Sequence, residues 1–206
     1  MRRCPWPHTL LVLACTLWAL SGISYETAAD QSIYSLPAGS QTIGLIAGPF
    51  FPIRLTPSQS TKLFGAATAL SSSFTVTGLL GAGWYQSQLS LGAELIGFST
   101  TEPIGAYGIG LSPKLVYTFT ALGRLRPFVE GGGGPLWTDL GGRVPEQGGQ
   151  FNFLVWGGAG CSWGWDAHWA LQAGYRFTHI SNAGTRDPNS GLNFGLPFVG
   201  VSYSLF

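Results

Sequence analysis

From Ala167 to His179 the chain reads AHWALQAGYRFTH, and its side chains alternate in character. Odd positions carry Ala167, Trp169, Leu171, Ala173, Tyr175, Phe177 and His179; even positions include His168, Gln172, Arg176 and Thr178. A period of two marks an extended strand whose two faces meet different surroundings. The stretch 87–97 keeps the same parity, with Leu89, Leu91, Ala93 and Leu95 odd and Gln88, Ser90 and Glu94 even. So does 105–119, where Tyr107, Ile109, Leu111, Leu115, Tyr117 and Phe119 are odd and Lys114 is even. One face is apolar and the other holds the charges.

Charged residues make up 9% of the 206 residues, against roughly 25% in soluble domains. Beyond the N-terminal segment no apolar run approaches the ~20 residues that a membrane helix needs. An apolar, alternating chain without a spanning helix has one way across a bilayer, which is a closed β-barrel. A formal net charge of +1 offers no basic patch for nucleic acid, and 45% hydrophobic content argues against disorder.

Eight segments have strand character: 42–49, 62–76, 87–97, 105–119, 126–137, 151–163, 167–179 and 193–206. The expected fold is therefore all-β, an eight-stranded antiparallel transmembrane β-barrel, small enough for side chains to fill its interior. The first, fifth-to-sixth and seventh-to-eighth connections are long and polar, which sets them at the cell exterior with both termini periplasmic. Parity sends Glu94, Lys114, Glu130 and Arg176 inward as a structural ion-pair network. The EGGGGP and GGAG runs suit barrel curvature and close packing; without a strand–loop–helix context they are no phosphate loop. Parity also sends His168 into the lumen at the other rim, and Pro197 marks an expected bulge that leaves the facing of Asn193 open.

Met1-Arg2-Arg3 followed by TLLVLACTLWALSGIS reads as a secretory signal peptide within 1–29, cleaved after Ser21 or Ala29, with a barrel domain over 30–206. Cys4 and Cys15 fall in that leader, so Cys161 alone would remain, as a small packing residue rather than a nucleophile. No His/Cys/Asp set has metal-ligand spacing, and neither metal nor organic cofactor is expected.

The stretch HISNAGTRDPNSGLN, residues 179–193, closes the seventh segment. His179 and Ser181 share the outward face if the strand continues. A neutral imidazole beside a hydroxyl makes a base–nucleophile pair, and Asn182 with the N–H groups of Ala183 and Gly184 could supply oxyanion donors. A polar strand end that simply meets water and headgroups is the plainer alternative.

HISNAG…PNSGLN after GYRF, together with RLRPFVEGGGGPLWTDL, resembles the PagL family of lipid A 3-O-deacylases over roughly 41–206. The resemblance implies an outer-membrane serine hydrolase of a Gram-negative bacterium. Its partners would be lipopolysaccharide, through the 3-O-acyl ester of lipid A, and the lipids of the outer membrane; a homodimer is left open. Carried over by motif, Ser181 would be the nucleophile, His179 the general base and Asn182 an oxyanion contributor. Where the family's prototype completes its triad with Glu, this chain has Asn193. An amide can orient an imidazole but cannot balance its charge, and Asp187 is the nearest alternative acid. A non-enzymatic OmpX-like barrel, structural or adhesive, is the rival reading; it leaves His179 and Ser181 without a role. A lipid A acyltransferase is a third. N-terminal sequencing of the protein purified from membranes should find Gly22 or Asp30 as the first residue.

Overall fold

The computed structural model describes residues 35–55 and 59–206. The signal-peptide reading lies outside them. Eight strands follow in order: β1 Gln41–Pro52, β2 Phe64–Thr75, β3 Ser87–Glu102, β4 Ala106–Phe119, β5 Leu125–Thr138, β6 Phe151–Gly164, β7 Trp169–Ser181 and β8 Leu192–Leu205. Each pairs antiparallel with its neighbours in sequence, and β8 returns to β1 to close the barrel. All eight expected segments are strands, displaced by a few residues at their ends; β3 runs furthest beyond its expected limit, to Glu102.

Side chains alternate as the period of two requires. Leu91, Leu95, Ile109, Leu111, Val155, Leu171 and Val199 stand exposed on the outer face. On β2 the outward residues carry even numbers, Leu70 and Phe74, because a connection of any length resets parity. Cys161 is also exposed on the outer face, where it packs against no core.

The four inward charges form one cluster. Arg176 grips Glu94 through two bonds, Nη1 to Oε1 at 2.9 Å and Nη2 to Oε2 at 3.1 Å. Its Nε donates to Glu130 Oε1 at 2.8 Å. Lys114 Nζ lies 3.4 Å from Glu94 and 3.3 Å from Glu130. Trp156 lies under the guanidinium, with Arg176 Cζ 3.9 Å from the ring centroid, and donates its indole N–H to Ser112 Oγ at 3.0 Å. A buried ion survives in such a place only when opposite charges and hydrogen bonds answer it. Toward the end that carries the β7–β8 loop, the lumen above this cluster is apolar, lined by Ile46, Phe50, Leu154, Ile180, Phe194 and Phe198. Phe50 meets Phe194 edge to face at 5.1 Å.

Two expectations need correction. Pro197 makes no bulge: Ala47 pairs with Val199 and Phe51 with Gly195 in one unbroken register, and β7 pairs continuously past Tyr175↔Pro197. Pro197 lacks the N–H that would bond to β1, so the β1–β8 ladder merely skips there. Gly48 makes the close approach possible, since a Cβ at that position would overlap the Pro197 carbonyl oxygen. Asn193 therefore keeps the outward parity of Val199 and pairs directly with His179. His168, for its part, does not line the lumen. It is exposed in the β6–β7 turn, stacks on Phe206 at 4.8 Å and bonds through Nδ1 to the Ser204 carbonyl at 2.8 Å.

Because β8 ends beside the start of β1, the β7–β8 loop lies at the opposite end, which we call distal. Loop length is an uneven guide to the two ends. The distal β3–β4 turn is only 103–105, whereas the β2–β3 connection at the other end spans 76–86 and contains a 3-10 turn, Gly83–Tyr85. Removing a partner from the buried cluster should be costly. Glu94→Gln is expected to lower stability by about 3–5 kcal/mol, read as a lower urea midpoint for loss of heat-modifiable migration. A Glu94→Gln barrel of normal stability without activity would contradict a structural role for the cluster.

Candidate active site

His179 and Ser181 are the last outward residues of β7, and Asn193 is the first of β8. Register, not sequence proximity, sets Asn193 opposite His179. His179 Nδ1 lies 2.8 Å from Asn193 Oδ1. Ser181 follows on the same face, about 6.6 Å along the strand. Among the described residues none bonds to Ser181 Oγ, so the hydroxyl is free to rotate toward the imidazole. Nucleophile–base bonds are commonly long until substrate draws them together.

Gly191 sets the position of the ring. It adopts a φ of 72°, open to glycine without strain, and a Cβ there would come within 2.6 Å of His179 Cε1. Backbone thus lies directly against the imidazole.

The loop between β7 and β8 uses up some of the expected oxyanion donors. Asn182 is fully buried. Its Nδ2 donates to Arg186 O at 2.6 Å and to Pro188 O at 3.4 Å, while its Oδ1 accepts the Gly184 N–H at 3.0 Å. Both groups hold the loop's own shape. Ala183 lies between them at a φ of 54°, a left-handed conformation that costs a residue with a Cβ about 1–2 kcal/mol. No described residue accepts the Ala183 N–H. Asn189 Oδ1 accepts the Asn182 N–H at 2.9 Å, which leaves the Asn189 Nδ2 donor unspent among the described residues. Asp187 is exposed in the loop, and neither a hydrogen bond nor an ion pair links it to His179. The structure brings His179 to Asn193 instead.

Sequence reasoning passed over the residues that support this group. Gln59, in the β1–β2 loop, is almost wholly buried against Asn193. Its Oε1 accepts from Asn193 N at 3.1 Å and Asn193 Nδ2 at 3.0 Å, and its Nε2 donates to Asn193 O at 3.3 Å. Glu146, in the β5–β6 loop, is equally buried. It accepts from Ser60 N at 2.6 Å, Ser60 Oγ at 3.0 Å, Thr61 N at 2.7 Å and Thr61 Oγ1 at 2.7 Å. The same loop grips the β7–β8 loop through Gly148 N to Pro188 O at 2.7 Å and Ser190 N to Glu146 O at 3.1 Å. Three distal loops are thereby tied together around the His179–Asn193 pair. The only available signal was a polar Gln and Glu in long loops, which does not reveal what they face.

A family model described as lipid A 3-O-deacylase (PagL) matches residues 67–204. The chain belongs to the lipid A 3-O-deacylase family. It is by family a carboxylic ester hydrolase of the outer membrane, which sets aside the non-enzymatic and acyltransferase readings. No curated protein matches it. Among solved structures, the outer membrane enzyme PagL is 22% identical, over 80% of this chain and 99% of that one, at a TM-score of 0.49. Neisserial surface protein A is 14% identical, over 81% and 97%, at a TM-score of 0.58, and shows the same fold. The attachment invasion locus protein Ail of Yersinia pestis is 14% identical, over 82% and 100%, at a TM-score of 0.38.

In this deacylase the loop clasp depends on an ionised Glu146. Burial opposes its ionisation, but the bonds from Thr61 and Ser60 outweigh that and hold the carboxyl below its ordinary value of 4.5. A depressed folded-state pKa contributes stability above the unfolded value, and that contribution is lost as pH falls through the folded one. Amide exchange at Ser60 and Thr61, corrected for intrinsic rates, should therefore be slow at pH 7 and accelerate below pH 4.5 more than exchange in the barrel strands. Glu146→Gln should show the fast exchange already at pH 7.

Proposed function

We propose that this enzyme removes the 3-O-linked acyl chain of lipid A by a serine mechanism on the outward face of its distal rim. Ser181 Oγ attacks the ester carbonyl and passes its proton to His179 Nε2. The carbon–oxygen bond to the glucosamine breaks, and the imidazolium returns the proton to the departing sugar hydroxyl. Water activated by the same nitrogen then attacks the acyl-serine, releasing the fatty acid and restoring Ser181.

The observation that carries this reading is the 2.8 Å contact between His179 Nδ1 and Asn193 Oδ1, beside an unengaged serine hydroxyl on the lipid-facing side. A base held by a third group, next to a nucleophile, is the arrangement that acyl transfer requires. An ester in the outer leaflet reaches this face without leaving the membrane. Asn193 serves as the orienting group in place of a carboxylate: its oxygen accepts the Nδ1–H hydrogen bond without balancing the imidazolium charge. The unspent donors, the Ala183 N–H and Asn189 Nδ2, take the oxyanion role first expected of Asn182 and Gly184.

Mass spectrometry of lipid A from a host expressing the protein tests this directly. The wild type should remove one 3-hydroxyacyl chain. Ser181→Ala and His179→Asn should each lower the rate by about three orders of magnitude or more while leaving a heat-modifiable barrel. Retained deacylation in either variant would remove that residue from the mechanism.

A further inference from the structure

We infer that Gln59 is a positioning residue of this hydrolase, one that locks the side-chain amide of Asn193 and thereby sets the tautomer of His179. The inference rests on the serine mechanism proposed above.

An asparagine in the orienting position raises a difficulty that a carboxylate does not. Its two terminal atoms are alike in shape but opposite in hydrogen bonding. Turned one way, Asn193 offers oxygen to His179; turned the other way, it offers N–H. The second orientation would place the imidazole proton on Nε2, where it prevents His179 from accepting the Ser181 proton. Some further group has to discriminate between them.

Gln59 does so through the one part of the site whose polarity is unambiguous, the backbone. The Asn193 N–H only donates, so the Gln59 atom 3.1 Å from it is the oxygen Oε1. The Asn193 carbonyl only accepts, so the Gln59 atom 3.3 Å from it is the nitrogen Nε2. With Gln59 fixed, its Oε1 requires a donor from the Asn193 side chain at 3.0 Å, and that donor is Nδ2. Oδ1 is then the atom 2.8 Å from His179 Nδ1. Nδ1 carries the proton, and Nε2 keeps its lone pair. Each step follows from donor and acceptor chemistry rather than from an amide assignment.

The arrangement is built to hold. Gln59 is 1% exposed and Asn193 5% exposed, so a flipped amide would lose bonds that water does not replace. Ile53 N also donates to the Asn193 carbonyl at 2.9 Å, which secures the strand to the β1–β2 loop. The next two residues, Ser60 and Thr61, are clasped by Glu146, so the segment carrying Gln59 is anchored at a second point. The connection runs from a buried carboxylate on one loop, through an amide on another, to the orienting residue of the base.

The test uses the full-length protein in detergent with 15N-labelled histidine at pH 8, His179 being assigned by difference from His179→Asn. Wild type should show a protonated Nδ1 and an unprotonated Nε2. Gln59→Leu should show a mixture of both tautomers, and kcat for deacylation should fall about tenfold to a hundredfold with KM unchanged. Gln59→Glu keeps an acceptor for Asn193 N and Nδ2. As the neutral acid it also donates to Asn193 O, as Gln59 Nε2 does, so it should restore the wild-type tautomer and bring kcat back close to wild type. A Gln59→Leu protein with the wild-type nitrogen pattern overturns the inference whatever its activity. If Gln59→Leu does not fold, Gln59→Met, closer to glutamine in shape, decides by the same nitrogen pattern, and a wild-type pattern there overturns the inference. The nitrogen shifts need no turnover, so they judge Gln59 even if Ser181→Ala remains active and the serine mechanism fails.

Discussion

Everything in this molecule depends on the closure of β8 onto β1. Inside a bilayer no water satisfies a free N–H or C=O, and an open sheet edge is not tolerated. Closure pairs the backbone groups between strands and leaves side chains only two directions, lipid or lumen. The four membrane-level charges go to the lumen, where Arg176 and Lys114 meet Glu94 and Glu130. Apolar side chains cover the outer face and also line the distal half of the lumen. Beside that seam, β7 pairs with β8 in a register that leaves His179 across from Asn193.

The candidate site is unusual in pointing outward. Most polar clusters of a small barrel lie in its interior, as the ion-pair cluster does here. His179, Ser181 and Asn193 lie at the distal rim, on the outward face of the barrel. Such a placement fits a substrate that is itself part of the membrane. It also exposes a weakness, because a rim has no surrounding core to immobilise side chains. The distal loops supply that rigidity through Gln59, Glu146 and the backbone of Gly191. The outward-facing site is thus stiffened from above by loops.

Much of the fold was legible because its signals are periodic. Alternation in 87–97, 105–119 and 167–179 exposed the strands, and the parity of Glu94, Lys114 and Arg176 announced their inward cluster. His179 and Ser181 were legible from their shared parity at a strand end. Other features were not legible for local reasons. Pro197 reads as a bulge in sequence, yet Gly48 on the adjoining strand accommodates it without a shift of register. Asn182 and Gly184 read as free donors, but the loop turns them on each other. Loop length said nothing about the short distal turn 103–105, because a tight turn serves either end of a barrel equally well.

The sequence by itself determined that this chain crosses a membrane as strands, that its charges face inward, and which motif ends the seventh strand. Those properties follow from alternation and composition, which act residue by residue. Only the tertiary structure decided that Asn193 rather than Asp187 meets His179, and that Gln59 holds Asn193. Register and loop closure bring together residues far apart in the chain, and no local pattern encodes which donor will face which acceptor.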